Sequence, residues 1–429
     1  MMCEDSADVW AQPKLFIRGL RAGAPPDMYS PIGQNWGFPL YDWQTMNADG
    51  YAWWKSRLHR ADLFYHAYRI DHVLGFFRVW AIPEGESDGV LGYFKPARDI
   101  SRESLNAAGF DSGRIRWMSR PHVAGERLRS VLGDKAKTLC EELFMRLGDE
   151  DLYIFKKDVN ESLIRALSLP DEAAGALVGF YRDRMLIETE EGMYAPAWFR
   201  ESSQAWASLD GNEKEKASAL IYNYFRESEE LWEKEGEALL RVMKKNSPML
   251  PCAEDLGVVP DSVPGVLAGL GILALRIPRW TRRYHEKGEP FVPPAEYPRL
   301  AVCAPSVHDT STVREWWETE NSRADFWKAL GLAGEAPADY SADTAKNLFT
   351  GLLGVESIIV VFQLQDFFAL EKSLRAATSA EERINVPGTV NAENWSYRMP
   401  WCLENFDEQG ELARRIAALV KKRKTRKPG

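Results

Sequence analysis

Residues 67–80 read AYRIDHVLGFFRVW. An apolar stretch carries Arg69, Asp71 and His72 in its middle, then breaks at Gly75 into aromatics. The pattern predicts a short buried strand whose end delivers a cation, a carboxylate and an imidazole. Arg69 and Asp71 stand two residues apart, so on a strand they share a face. A guanidinium at that place favours ionised Asp71 and lowers its pKa, as a nucleophile requires.

The same form recurs four times downstream. MLPCAEDLG (249–257) ends in Glu254 and Asp255, and GILALRIPRW (271–280) carries Arg276. RLAVCAPSVHDTST (299–312) ends in His308 and Asp309, and SIIVVFQLQDFF (357–368) in Gln363 to Asp366. Segments with helical patterning lie between them, SVPGVLAGLG (262–271) and VREWWETENSRADFWKALG (313–331). Alternation of strand and helix predicts a parallel sheet with crossover helices. Polar groups gathered after the strands are the layout of a TIM-type (β/α)8 barrel, whose βα loops build the active site. Five strands are legible where such a barrel has eight.

Three acids follow strands in this way: Asp71, Glu254 and Asp309. Two carboxylates across a glycosidic bond divide the chemistry, one ionised as nucleophile and one protonated as general acid. A third can stabilise an oxocarbenium-like transition state, with His72 and His308 as partners for sugar hydroxyls. Any one of these acids alone reads equally well as a buried ion pair or a helix cap, and Asp255 as a simple loop residue. No run of closely spaced acids suggests a hard-cation loop, and HExxH, GxxxxGK[ST] and GxSxG are absent, so neither a metal nor a cofactor is expected.

The surrounding chain supports a large soluble protein of one or more domains. It has 429 residues with 16 Trp, 15 Tyr and 19 Phe, a heavy aromatic load that fits a large core or flat platforms for sugar rings. A net charge of -9 at pH 7 argues against nucleic-acid binding. Five scattered cysteines without CxxC spacing suit reduced thiols in the cytoplasm. MMCEDSADVW has no signal-peptide pattern, and no 18-residue apolar run predicts a membrane span.

Along the chain, residues 1–83 read as a barrel part including the Asp71 strand. RAGAPPDMYSPIGQNWGFPLYDW (21–43) is expected to be irregular, and MNADGYAWWKSRLHRADLF (46–64) helical. Residues 84–247 read as a mainly helical insertion, on the strength of charged amphipathic segments such as 134–148, 160–185 and 211–245. Residues 248–412 complete the barrel, and 413–429, with KKRKTRKPG at their end, form a basic tail.

DSADVW (5–10), PPDMYSPIGQNWGFPLYDW (25–43), YAWWKSRLHRADLFYHAYRIDHVLGFFRVWAIP (51–83), CAEDLGVVP (252–260), LRIPRW (275–280), CAPSVHDTST (303–312) and RINVPGTVNAENWSYRMPW (383–401) together resemble the 4-α-glucanotransferases (amylomaltases or disproportionating enzymes, glycoside hydrolase family 77). The resemblance implies Asp71 as nucleophile, Glu254 as general acid/base and Asp309 as the transition-state-stabilising carboxylate. It implies that Arg69, His72 and His308 hold the donor sugar, and that Asn35 and Trp36 line the substrate. Arg276 is expected beside them, and Asn385 and Trp395 match the end of the family's barrel. The 183 residues from Asp71 to Glu254 resemble the maltose-using branch, which implies transfer from maltose to glycogen or a soluble heteroglycan. In the family, DSADVW follows a region supplying three barrel strands. The expectation is therefore an incomplete barrel, with a homo-oligomer or a partner chain supplying what is lacking. Rival readings are an α-glucan hydrolase and a glucan-binding chain without turnover of its own.

Overall fold

The computed structural model describes residues 2–27, 30–399, 402, 404, 410–421 and 423. Most of KKRKTRKPG, and Pro400 and Trp401 of the last family-like motif, lie outside these residues. The chain divides into two compact units: Met1–Tyr65, Asp71–Pro248 and Gly257–Val266 form one, and His66–Ile70, Met249–Leu256 and Leu267–Gly429 the other. Strands are numbered along the chain.

The second unit holds the five strands expected from the apolar runs. They are β3 (Ala67–Ile70), β12 (Leu250–Ala253), β13 (Ala274–Arg276), β14 (Ala301–Cys303) and β15 (Ile359–Val360). β3 pairs parallel with β12, and β13, β14 and β15 pair parallel in that order. A parallel bridge from Cys252 to Leu273 joins the two groups, with Ala253 N–H donating to the Leu273 carbonyl at 2.7 Å. The run β3-β12-β13-β14-β15 is thus an α/β parallel sheet in sequence order; it does not close into a barrel among the described residues. Its helices carry the core: Trp316, Trp317, Leu348, Phe349 and Leu352 are buried together. The helix Gly410–Val420 buries Leu412 and Leu419 in the same cluster, so the segment expected as a tail from residue 413 begins as packed helix.

In the first unit, β1 (Phe16–Ala24), β2 (Gln34–Tyr41), β4 (Val79–Pro83) and β5 (Tyr93–Lys95) form an antiparallel sheet in the order β2-β1-β4-β5. The expectation of irregular chain over 21–43 is therefore corrected. Its glycines and prolines are accommodated by sheet geometry rather than breaking it. Pro39 sits in the edge strand, where a missing N–H is tolerated. Gly23 lets β1 approach β2, since a Cβ there would lie 2.0 Å from the Gln34 carbonyl oxygen. Register shifts after Ile17 and Ala22 absorb the remaining mismatch.

The region 84–247 is less helical than its charge pattern predicts. β6 (Ile100–Ser101), β10 (Leu186–Glu190) and β11 (Met193–Pro196) make one antiparallel sheet. β7 (His122–Ala124), β8 (Phe144–Arg146) and β9 (Leu152–Phe155) make another. The helical period from Ala136 stops at Leu143, because Phe144 pairs across to Phe155 and stacks on its ring; tertiary pairing overrides local propensity. The helix Gly211–Lys245 forms as read, opened by a capping box between Asp210 and Glu213. It packs closely on Phe77, against which Gly236 leaves no room for a side chain: a Cβ would lie 2.3 Å from the ring.

Candidate active site

The sheet of the second unit ends in polar residues because each strand is short and the chain turns at once. β3 and β12 end level: Ile70 pairs with Ala253, and Glu254 N–H donates to the Ile70 carbonyl at 2.9 Å. Asp71 and Glu254 are the residues that directly follow these two strands. Glu254 is half-buried and accepts the Leu256 amide through Oε1 at 3.1 Å. Asp71 and Arg69 are exposed.

Asp309 lies in the turn after β14. Its Oδ1 accepts Asn385 Nδ2 at 2.7 Å, and its Oδ2 lies 3.1 Å from His308 Nε2. Trp395 packs on the His308 ring at 5.3 Å between centroids. Four predicted site residues, Asp309, His308, Asn385 and Trp395, are therefore brought together around one carboxylate that remains 45% exposed. Each carboxylate oxygen thus has one neighbour that positions it, and the group still keeps much of its surface exposed.

Two charged residues support this loop and were not singled out from the sequence. Arg279 is buried and donates to Ser311 Oγ at 2.6 Å, the Ser311 carbonyl at 2.9 Å and the Pro305 carbonyl at 3.1 Å. Burial pulls its pKa down to about 10, with Asp366 opposing the shift. Asp366 is fully buried, accepts the Ser306 hydroxyl, and takes the Val313 amide at 2.9 Å. Both grip the segment 305–313 from beneath. In the sequence, Arg279 was visible only as part of the LRIPRW motif, and Asp366 only as an acid ending an apolar run.

Arg276 is engaged otherwise than its strand-end position suggested. Its Nη1 donates to Asp255 Oδ2 at 3.1 Å and to the Leu275 carbonyl at 2.6 Å. Asp255, which reads as a simple loop residue, is buried and also accepts the Leu275 amide at 2.7 Å, clamping the chain after β12 to β13.

In the first unit, His72 begins a tight turn with φ 45°, ψ 60°, a left-handed conformation that His adopts more readily than most residues. Its ring stands edge-on to Trp36 at 4.9 Å, and burial pulls its pKa down to about 4 against the opposing charge of Asp71. His72 is thus neutral near pH 7 and offers one donor and one acceptor. Gly75 makes room for it, since a Cβ there would stand 3.2 Å from Cδ2. Trp36 Nε1 donates to Gln34 Oε1 at 3.1 Å. The Asn35 side chain is used for structure: Nδ2 donates to the Glu86 carbonyl at 2.9 Å and Oδ1 accepts the Gly37 amide at 2.9 Å. Among the described residues no group of three or more His, Cys, Asp or Glu could hold a metal ion.

A family model described as 4-alpha-glucanotransferase (glycoside hydrolase 77) matches residues 1–404. The 4-alpha-glucanotransferase DPE2 of Oryza sativa subsp. japonica is 33% identical over 97% of this chain and 45% of its own length. The 4-alpha-glucanotransferase of Chlamydia pneumoniae is 27% identical over 95% of this chain and 51% of its own. The amylomaltase from Streptococcus agalactiae, solved in complex with acarbose, shares the fold with a TM-score of 0.53 at 17% identity, over 98% of this chain and 54% of that one. The amylomaltase from Corynebacterium glutamicum gives a TM-score of 0.54 at 16% identity, over 98% and 45%. The chain spans about half the length of the curated relatives it matches. It belongs to the glycoside hydrolase 77 family of 4-alpha-glucanotransferases.

Proposed function

We propose that this chain carries the reacting groups of a retaining 4-α-glucanotransferase that moves glucosyl or maltosyl units from maltose or malto-oligosaccharides to a glucan acceptor such as glycogen or a heteroglycan. The carboxylate of Asp71 attacks the anomeric carbon of the donor. The glycosidic C–O bond breaks as the Glu254 carboxyl gives its proton to the departing oxygen. In the second half Glu254 takes the proton of an acceptor 4-hydroxyl, whose oxygen displaces Asp71 from the anomeric carbon. Two inversions give retention, which needs the two carboxyl groups about 5–5.5 Å apart. Asp309 stabilises the positive charge developing on the ring. Arg69, His72 and His308 hold the donor, and Trp36 and Trp395 exclude water so that a sugar hydroxyl competes as acceptor.

The observation that carries this reading is an exposed Asp309 carboxylate positioned by Asn385 and His308. It stands on the parallel sheet whose neighbouring strands end level immediately before Asp71 and Glu254. In this reading the sheet is part of a (β/α)8 barrel into which residues 84–247 are inserted. Incubation with maltose should yield glucose together with longer glucans, and Asp71→Asn should abolish both. Release of glucose with no longer product would replace transfer by hydrolysis.

A second reading is glucan binding without turnover by this chain alone. The exposure of Asp71 and Arg69 favours it, since a nucleophile works best in a water-poor site. Maltotriose binding without any product would select this reading.

A further inference from the structure

A cavity of about 460 Å³ lies wholly within the first unit, is lined by none of the site residues named above, and is in the size range of small-ligand sites. Its wall is aromatic. Trp80 stands edge-on to Phe94 at 4.7 Å and to Trp198 at 5.4 Å, and Phe94 stands edge-on to Trp232 at 5.6 Å, so the rings turn in different directions. Two of the indoles are anchored: Trp80 Nε1 donates to the Gly89 carbonyl at 2.9 Å and Trp232 Nε1 to the Pro96 carbonyl at 2.6 Å. These rings are rigid platforms.

The polar lining is of a definite kind. Arg78 sits in the corner between the edge-on rings of Phe94 and Trp232, with its guanidinium carbon 3.7 and 4.2 Å from the two ring centroids, and it donates to the Val258 carbonyl at 3.0 Å. Glu229 is fixed through Oε1, which accepts Ser262 N–H at 3.1 Å and Ser262 Oγ at 2.8 Å. Arg200 and Asp261 complete a lining of two cations and two carboxylates with no surplus charge. Trp198 and Tyr224 also line the cavity. A ligand that suits this surface presents flat C–H faces to aromatic rings and neutral hydroxyls to fixed donors and acceptors. That is a pyranose ring.

We propose that this cavity is a second, non-catalytic glucan-binding site that holds a stretch of α-1,4-linked glucose. The identity of the ligand rests on the proposed function above; the existence of a polyol site rests on the cavity alone. The site would retain a long glucan on the protein while chain ends react elsewhere, raising the local concentration of substrate.

The test uses maltoheptaose as probe. Its binding is measured by calorimetry on the full chain carrying Asp71→Asn, alone and combined with Trp198→Ala, Glu229→Gln or Tyr224→Phe. Each cavity variant is expected to remove one of two binding events, or to weaken the overall Kd at least about fivefold. Tyr224→Phe deletes a single hydroxyl and keeps the buried ring, so it keeps the test meaningful if the other two misfold. In the chain with Asp71 restored, the same variants are expected to leave the rate on maltose within twofold and to raise KM for glycogen with kcat unchanged. Unchanged maltoheptaose affinity in Tyr224→Phe and Glu229→Gln overturns the proposal. So does an equal loss of rate on maltose and on glycogen, which would make the cavity part of the reacting site. Binding that depends on Trp198 and Tyr224 in a chain that turns over no glucan leaves the cavity standing and removes the transferase reading. Turnover with binding blind to all three variants does the reverse.

Discussion

Two carboxylate clusters in this protein show the same chemistry put to opposite uses. In the first unit, Arg182 binds Glu161 Oε1 at 2.6 Å and Asp88 Oδ2 at 2.5 Å, Ser87 Oγ donates to Glu161 Oε2 at 2.5 Å, and Tyr181 Oη donates to Glu86 at 2.8 Å. Glu161, Glu86 and Asp88 are all buried. In the second unit, Asp309 has two partners and is 45% exposed. The first cluster spends its charge on its neighbours, and removing one member strands another in a low dielectric. The second holds its carboxylate in place and leaves it 45% exposed. A cluster of acids is a candidate site only where it stays open to a ligand.

The sharpest way to break this comparison is a pair of substitutions. Asp309→Asn should cut transfer by about 10²- to 10³-fold while changing the unfolding free energy by less than about 1 kcal/mol. Arg182→Met should do the opposite, lowering stability by about 3 kcal/mol with little effect on turnover by the folded fraction. Denaturant titration and initial rates on the same preparations check both. If Asp309→Asn unfolds the protein, Asp309 belongs with the buried cluster.

Packing supplies the next effect. Gly236→Ala should cost about 1–3 kcal/mol in urea unfolding, because the new methyl meets the Phe77 ring. A neutral result would show that the long helix can slide on the segment following Asp71.

Titration separates the clusters further. Burial pushes the Glu86 carboxyl up to about 7, with the nearby Glu161 adding to the effect and the Tyr181 hydroxyl opposing it. For Glu161 burial also raises the pKa, but its bonds to Arg182 and Ser87 outweigh that and hold it below the usual range. The folded protein therefore binds the Glu86 proton more tightly than the unfolded chain does. Its contribution to stability is complete below about pH 4.5 and is lost as pH rises through about 7. Glu86→Gln should flatten the fall in urea midpoint between pH 5 and 8. An unchanged slope would show that another group carries the dependence.

The smallest effect tests the support of the open site. Asn385→Ala should lower turnover about tenfold, a loss worth about 1.4 kcal/mol, with stability unchanged and KM for maltose moved less than kcat. An equal change in KM alone would make Asn385 a sugar ligand rather than a holder of Asp309.

Much of the parallel sheet was legible because a short buried strand is an uninterrupted apolar run, and the turn after it admits polar residues at once. That is how five apolar runs ending in Asp71, Glu254, Arg276, Asp309 and Gln363 to Asp366 could be read as strands, and how Asp71, Glu254 and Asp309 stood out as acids in matching contexts. The β1–β2 hairpin was not legible. Its glycines and Pro39 carry a local signal for irregular chain, and only pairing across to Gln34 and Pro83 shows what they permit. β8 failed for a related reason, since the partner of Phe144 lies beyond any local window. The sequence by itself determined the residue types at the strand ends and their common setting, because hydrophobic period and turn chemistry are local. Only the tertiary structure decided that Asp255 and Asn35 serve as clamps, that Arg279 and Asp366 grip the Asp309 loop, and that Arg78 closes an aromatic cavity. Each of those roles depends on which buried donor finds which acceptor, and burial is a property of the packed chain.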